Sequence, residues 1–236
     1  MIFAAGLGTR FKPWTDKHPK ALAPVHGKSL LQRNVEYLQQ YGITDVIVNV
    51  HHFADQVVEA VERHQGWGSR IIISDERAEV LETGGGLLKA QEWLSDGDVF
   101  ITLNADILTD LDLHRIIDFH ARKEALITLA LSKRTSSRRF LIDEESRLCG
   151  WENSQSGEQK IAVKEAVLSP RAYDCVAVFS TAVFPLIPQR GKFSLTDMYL
   201  SLAAGHRIVG HEQEGYRFID VGKPESVEQA EKLFLP

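Results

Sequence analysis

Cysteine is nearly absent from the sequence: Cys149 and Cys175 are the two in 236 residues. Their separation excludes a C-x-x-C metal or redox site, and two thiols cannot make a disulfide-rich scaffold, so a reduced, cytoplasmic setting is expected. Long apolar runs are missing too. None reaches the roughly 18–20 consecutive apolar residues of a membrane span, and the N-terminus lacks the basic-then-apolar order of a signal peptide. No membrane partner is expected. Positive charge is not in excess: 27 Lys and Arg against 32 Asp and Glu leave a net charge of −5. General nucleic-acid binding needs clustered cations to displace counterions and is disfavoured, whereas a small anionic substrate needs only a few placed cations. Repeats, low-complexity tracts and Pro/Gly/Ser-rich linkers are also absent. With 44% hydrophobic and 25% charged residues, 1–236 reads as a single domain. A polar stretch at 132–164 reads as a small inserted arm, too short to fold alone.

What is present is an alternation of short β-branched or aromatic runs with longer stretches of helical period. Strands are expected at 2–5, 45–50, 70–74, 99–103, 126–131, 175–179 and 207–210. Helices are expected at 30–41, 54–64, 86–94, 113–123, 195–204 and 224–233. Repeated βαβ units imply the α/β class: a mostly parallel, mixed sheet with helices on both faces, a three-layer αβα arrangement. Ligands of such sheets bind beyond the carboxyl ends of the strands, where 6–9 and Asp106 would lie.

The chain opens M-I-F-A-A-G-L-G-T-R-F-K-P-W-T. Gly6 and Gly8 allow tight turning and close approach, and Arg10 and Lys12 add fixed positive charge, a combination suited to phosphate. Two familiar phosphate motifs do not fit. The dinucleotide pattern G-x-G-x-x-G meets Phe11 at its third glycine, and the P-loop ending His26-Gly27-Lys28-Ser29 would need a glycine where Leu22 stands. His51 and His52, adjacent on an extended segment, point oppositely and make a poor metal pair.

Five blocks in order carry a broader resemblance: A-A-G-L-G-T-R-F-K-P-W-T (4–15), P-K-A-L-A-P-V-H-G-K-S-L-L (19–31), E-T-G-G-G (82–86), N-A-D (104–106) and I-D-V-G-K-P-E (219–225). The chain resembles the sugar-1-phosphate nucleotidylyltransferases, in particular the short N-acetylmuramate 1-phosphate uridylyltransferases. The resemblance implies a Rossmann-like fold and transfer of a nucleoside monophosphate from an NTP, UTP first, to a sugar 1-phosphate, with release of pyrophosphate. It implies a nucleotide-sugar product, cell-wall sugar chemistry, a Mg2+ cofactor, and a monomer or homodimer.

By the same resemblance, Arg10 and Lys20 are the catalytic cations, Arg10 on the β and γ phosphates and Lys20 near the α-phosphate. Ala4, Ala5, Gly6, Gly8 and Thr9, with Glu82, Thr83 and Gly84, would bind the nucleotide. Asp106 and Asp220, each following an apolar run, would hold Mg2+. Asn104, Lys164, Glu165 and Asp197 are expected on the sugar-phosphate side, with Trp151 and Tyr173 flanking the sugar. Asp110 is expected to cap a turn. The chain departs from the family pattern in three ways: Ala105 replaces the glycine of N-G-D, Val163-Lys164-Glu165 is the nearest wording to E-K-P, and a short first strand precedes the alanine pair. Two rival readings are a cytidylyltransferase for a phosphate such as phosphocholine, and a catalytically silent nucleotide-binding subunit.

Overall fold

The computed structural model describes residues 1–165 and 167–235. In chain order the strands and helices are β1 (Ile2–Phe3), β2 (Pro24–Val25), β3 (Lys28–Ser29), α1 (Leu30–Gln39), β4 (Asp45–Val50), α2 (Ala54–Arg63) and β5 (Arg70–Asp75). There follow α3 (Glu82–Lys89), α4 (Gln91–Leu94), β6 (Val99–Asn104), β7 (Ile107–Thr109), α5 (Leu113–Arg122), β8 (Ile127–Ser132) and β9 (Arg138–Ile142). The chain ends with β10 (Leu148–Asn153), β11 (Glu158–Ile161), β12 (Ser169–Ser180), α6 (Leu195–Ala203), β13 (Ile208–Glu212), β14 (Phe218–Asp220) and α7 (Glu225–Leu233). The α/β class and the mixed sheet with helices around it stand as expected. Among the described residues, no helix is long and apolar enough to cross a membrane.

Two compact units are distinguished: Met1–Glu82, Leu103–Leu111 and Tyr216–Pro236 form the first, Thr83–Thr102 and Asp112–Gly215 the second. In the first, β1 runs parallel between β4 and the end of β6, pairing Ile2 with Val48 and Leu103, and Phe3 with Asn49 and Asn104. Parallel β5 lines the other side of β4. Buried Ile2, Val48, Val50 and Leu103 explain why these strands read as continuous apolar runs rather than alternating ones. Helix α1 starts where Ser29 accepts a hydrogen bond from the Gln32 N–H at 3.0 Å, a cap that stabilises a helix by about 1 kcal/mol. Phe11, Ala23, Val25, Leu30, Leu108, Val221 and Ala230 form one buried cluster, with Trp14 and Phe234 against it.

In the second unit β12 pairs antiparallel with β8 and β9, and β13 runs parallel to β8. The stretch expected as a polar arm instead continues this ladder as β9, β10 and β11. Phe140, Leu141, Ile142 and Leu148 are buried there, while every residue of β11 is exposed. Apolar residues on two of its strands, hidden by the polar average, decide the outcome.

Other boundaries move for identifiable reasons. The first strand ends at Phe3, not at residue 5, because the Ala4 N–H donates to the Asn49 side chain rather than to a neighbouring backbone. The helix expected at 86–94 begins at Glu82 despite three glycines, since the Gly84 and Gly85 N–H groups donate to the Phe193 carbonyl, and it breaks at Ala90. Propensity is overridden by a tertiary cap. Strand β12 starts six residues before the expected 175, across a bulge at Cys175, whose φ is +57°.

Two histidines of the second unit sit in low-polarity surroundings. His120 places Nδ1 2.9 Å from the Thr128 hydroxyl, and the His211 ring lies tilted against Phe119 with centroids 4.8 Å apart. Burial lowers both pKa values, and Arg122 and Arg115 lower that of His211 further. The unfolded chain therefore takes up protons below the ordinary histidine value of about 6.5 before the folded chain does, so stability is full above that pH and declines as pH falls through it. The thermal midpoint is expected to drop between about pH 7 and 5.5, and His120→Gln to flatten that slope. Identical slopes for the native chain, His120→Gln and His211→Gln would remove both histidines as the cause.

Candidate active site

The glycine loop of the first unit is built around Gly8. Its φ is +60°, and a Cβ there would lie 2.8 Å from Thr15 Cγ2 and 3.2 Å from Lys20 Cβ. The Gly8 carbonyl accepts from the Thr15 hydroxyl at 2.9 Å and the Phe11 N–H at 2.8 Å. Phe11 then plunges into the buried cluster, which leaves Gly6, Leu7, Thr9 and Arg10 exposed. At Gly6 no atom lies within 4 Å of a built Cβ, so the backbone there is open to a ligand. Ala4 and Ala5 are buried just ahead of it.

Lys20 follows Pro19 and opens a short 3-10 turn whose Ala21 is buried. Its side chain is only 11% exposed; the ammonium pairs with the Asp106 carboxylate and lies 5.8 Å from the Phe11 ring centroid. An ammonium so enclosed needs an anionic partner to offset lost hydration. Lys20 is thus a seated cation and not a solvated loop lysine.

Asp106 and Asp220 are 114 positions apart in sequence (220 − 106), and the β7–β14 ladder draws their backbones together. Asp220 stands opposite Ile107, and the Val221 N–H donates to the Asp106 carbonyl at 2.9 Å, so Asp106 leads into the ladder at the end where Asp220 leaves it. At Gly222 a Cβ would lie 2.7 Å from Asp220 Oδ1 and 3.4 Å from Arg10 Nη2. The bare glycine leaves both the Asp220 carboxylate and the Arg10 guanidinium room beside the chain. Asp110 anchors the far end of the ladder by accepting from the Arg217 backbone and from its Nε at 2.7 Å, which is a larger role than capping a turn.

The N-A-D turn is held by a residue that sequence reasoning missed. Asn34 on α1, 1% exposed, donates to the Ala105 carbonyl and to the Leu30 carbonyl, each at 3.0 Å. A lone Asn in an apolar helical stripe was the available signal. Ala105 is buried and has no positive φ, so the missing glycine costs nothing here. Asn104 closes β6, half-buried and paired with Phe3. His51 and His52 turn to the Glu76 and Thr15 carbonyls, at 2.8 and 3.1 Å.

Glu82, the last residue of the first unit, is exposed with φ +60°, a left-handed conformation uncommon for a residue with a side chain. In the second unit Thr83 and Gly84 face inward: the Thr83 hydroxyl accepts from Leu195 N–H at 3.0 Å, and a Cβ at Gly84 would lie 2.3 Å from the Phe193 ring. Packing against Phe193 accounts for the glycine at 84. Lys164 and Glu165 are exposed beyond β11. Lys160 lies 3.2 Å from Asp197 and 5.7 Å from the Trp151 ring centroid.

Asp197, expected near the sugar, is a helix-start residue. Its carboxylate accepts from the Ser194 hydroxyl at 2.7 Å while its own N–H donates back to that oxygen. The Ser194 hydrogen bond, then Lys160, hold its pKa below the usual aspartate value. Tyr173 packs edge-on against Phe140 and Tyr199, as a core aromatic does.

The nucleotidyl transferase family model matches residues 1–143. An N-acetylmuramate alpha-1-phosphate uridylyltransferase of Caulobacter vibrioides is 34% identical, over 98% of this chain and 94% of that protein. A UTP–glucose-1-phosphate uridylyltransferase of Synechocystis is 29% identical over 94% of this chain, which spans 60% of that longer protein. The crystal structure of HddC from Yersinia pseudotuberculosis superposes with a TM-score of 0.80 at 23% identity, covering 98% of this chain and 96% of that one, which speaks for the fold.

The two glycine environments separate packing from ligand access. Gly84→Ala is expected to lower the free energy of urea unfolding by about 1–3 kcal/mol through its clash with Phe193. Gly6→Ala, facing open space, is expected to change it by less than about 0.5 kcal/mol. Equal stabilities would mean that Phe193 yields at little cost and that packing does not explain the glycine.

Proposed function

The chain belongs to the nucleotidyl transferase family, and from that premise we propose that it transfers a uridylyl group from UTP to N-acetylmuramate α-1-phosphate, releasing pyrophosphate. The enzyme class and the joining of a nucleotide to a sugar 1-phosphate follow from the relatives as a group. The choice of uridine and of the muramate sugar leans on the Caulobacter protein, which matches this chain over nearly its whole length. Such a product belongs to cell-wall sugar chemistry.

One observation carries the chemical side of the reading: a nearly enclosed Lys20 paired to Asp106, with its Cβ against Gly8 of the exposed glycine turn. Both substrates are phosphate anions that repel one another until fixed charge neutralises them. Arg10, exposed and planar, suits the outer phosphates of the triphosphate. Lys20 would stabilise charge gathering on the α-phosphate as the sugar-phosphate oxygen attacks in line. That oxygen is already ionised near neutral pH, so no general base is needed. Positioning and charge carry the rate.

Asp106 and Asp220 fit a Mg2+ ion by their donor chemistry. Mg2+ takes hard oxygen ligands, commonly one or two carboxylates, with water and substrate phosphates completing its shell. Bound there, the ion would neutralise phosphate charge and polarise the reacting phosphoryl group.

A pyrophosphate-release assay of the common nucleoside triphosphates against several sugar 1-phosphates tests the proposal, with UTP and N-acetylmuramate α-1-phosphate expected to give the highest kcat/KM. Release with another pair alone reassigns the substrates, and none with any pair points to a silent subunit. Asp220→Asn, at an exposed position, is expected to cut kcat/KM by roughly 10²–10³ with little change in thermal midpoint. Asp106→Asn is expected to cut activity similarly and also to lower the midpoint, because it strips Lys20 of its charged partner. Near-native turnover by Asp220→Asn would remove that aspartate from the metal site.

A further inference from the structure

Beneath the glycine loop lies a buried polar relay within the first unit. Asn49, on β4, is 2% exposed, and Glu76, just past β5, is 1% exposed. The β1–β4 ladder stops at Phe3, and the next N–H, that of Ala4, donates to Asn49 Oδ1 at 2.8 Å. Asn49 Nδ2 in turn donates to Glu76 Oε1 at 2.8 Å. The second oxygen, Glu76 Oε2, faces the Leu81 N–H at 3.4 Å, one residue before the left-handed Glu82. One carboxylate therefore connects the start of the glycine loop with the start of the segment carrying Glu82.

The relay is polar in sense as well as in composition. A carboxylate only accepts, so Glu76 compels the Asn49 amide to present Nδ2 to it and Oδ1 to Ala4. Enclosing a carboxylate is costly, and a fold needing only bulk at residue 76 would be served as well by an apolar side chain. The acceptor at both ends of Glu76 is what an apolar residue could not supply. Ala4 lies two residues before the open backbone at Gly6, and Leu81 one before Glu82, so the relay joins the two segments through one carboxylate.

We propose that Asn49 and Glu76 are positioning residues for the nucleotide: without touching it, they set the backbone of Ala4–Gly6 and of Glu82 relative to each other, and so tune affinity for the nucleoside triphosphate. This rests on the function proposed above. Glu76→Gln leaves one donor-to-donor contact whichever way the two amides turn: at Leu81, between residues 49 and 76, or, with Asn49 flipped, at Ala4. The double variant Asn49→Asp with Glu76→Gln reverses the relay. Here the new carboxylate accepts from Ala4 and from the Gln NH2, and the Gln oxygen accepts from Leu81, so each of the relay's three hydrogen bonds keeps a donor and an acceptor.

The test is calorimetric binding of UTP with Mg2+, which needs no turnover, together with KM for each substrate. The native chain is expected to bind UTP. Glu76→Gln is expected to weaken that binding about tenfold, the size of one lost buried hydrogen bond, and to raise KM for UTP more than KM for the sugar phosphate. The double variant is expected to regain binding to within about threefold of native. A folded Glu76→Gln protein with native UTP affinity, whatever its thermal midpoint, makes the relay merely structural and overturns the proposal. If Glu76→Gln does not fold, the double variant decides: native affinity upholds the relay, and a double variant that stays unfolded or binds weakly overturns it. No UTP binding by the native chain overturns the uridylyl reading itself, a result distinct from either variant's failure.

Discussion

The short antiparallel contact between Ile107–Thr109 and Phe218–Asp220 brings together acidic residues that the chain keeps far apart. The backbones of Asp106 and Asp220 are brought to the same end of this ladder. Each acid has a cation near it: Lys20 pairs with Asp106, and Arg10 and Asp220 both approach Gly222. The ladder itself is pinned at its other end by Asp110 and Arg217. If this contact were lost, Asp220 would no longer be held beside the turn that carries Asp106.

The glycine loop depends on the same region for its shape. Phe11 anchors its far end in a cluster that also holds Leu108 and Val221, the apolar neighbours of the two aspartates. Apolar packing thus locates the loop, and hydrogen bonds then shape it. Thr15 and Phe11 share the Gly8 carbonyl, while Asn49 takes the Ala4 N–H where the β1 ladder ends. The exposed part between these fixed points, Gly6 to Arg10, is where backbone and guanidinium donors are available to an anion.

Much of this was legible along the chain. The apolar runs at β4, β5 and β6 and the starts of α1, α2, α5 and α6 were found to within a residue or two, because each pairs a strong local period with a clear turn or cap. The five sequence blocks named the family. Legibility failed where long-range contacts reversed local preference. Three glycines entered α3 because Phe193 caps it, and the 132–164 stretch became ladder because buried residues on β9 and β10 outweigh its polar average. The V-H-G-K run, which looks like the tail of a P-loop, is a two-residue hairpin between β2 and β3, with His26 and Gly27 both at positive φ. Asp197 also serves a helix start and Tyr173 an aromatic cluster, contacts that the sequence wording did not reveal.

The sequence by itself determined the class of fold, the family, and the identity of the charged residues at the site, because periodicity and motif order are properties of the chain. Only the tertiary structure decided which of those charges meet. That Lys20 is nearly enclosed, that Asp106 rather than another acid receives it, and that Asn49 and Glu76 support the loop from below all depend on contacts between segments 27 to 114 positions apart. No local pattern encodes such pairings, since their free energy comes from burial and charge compensation that exist only once the segments have come together.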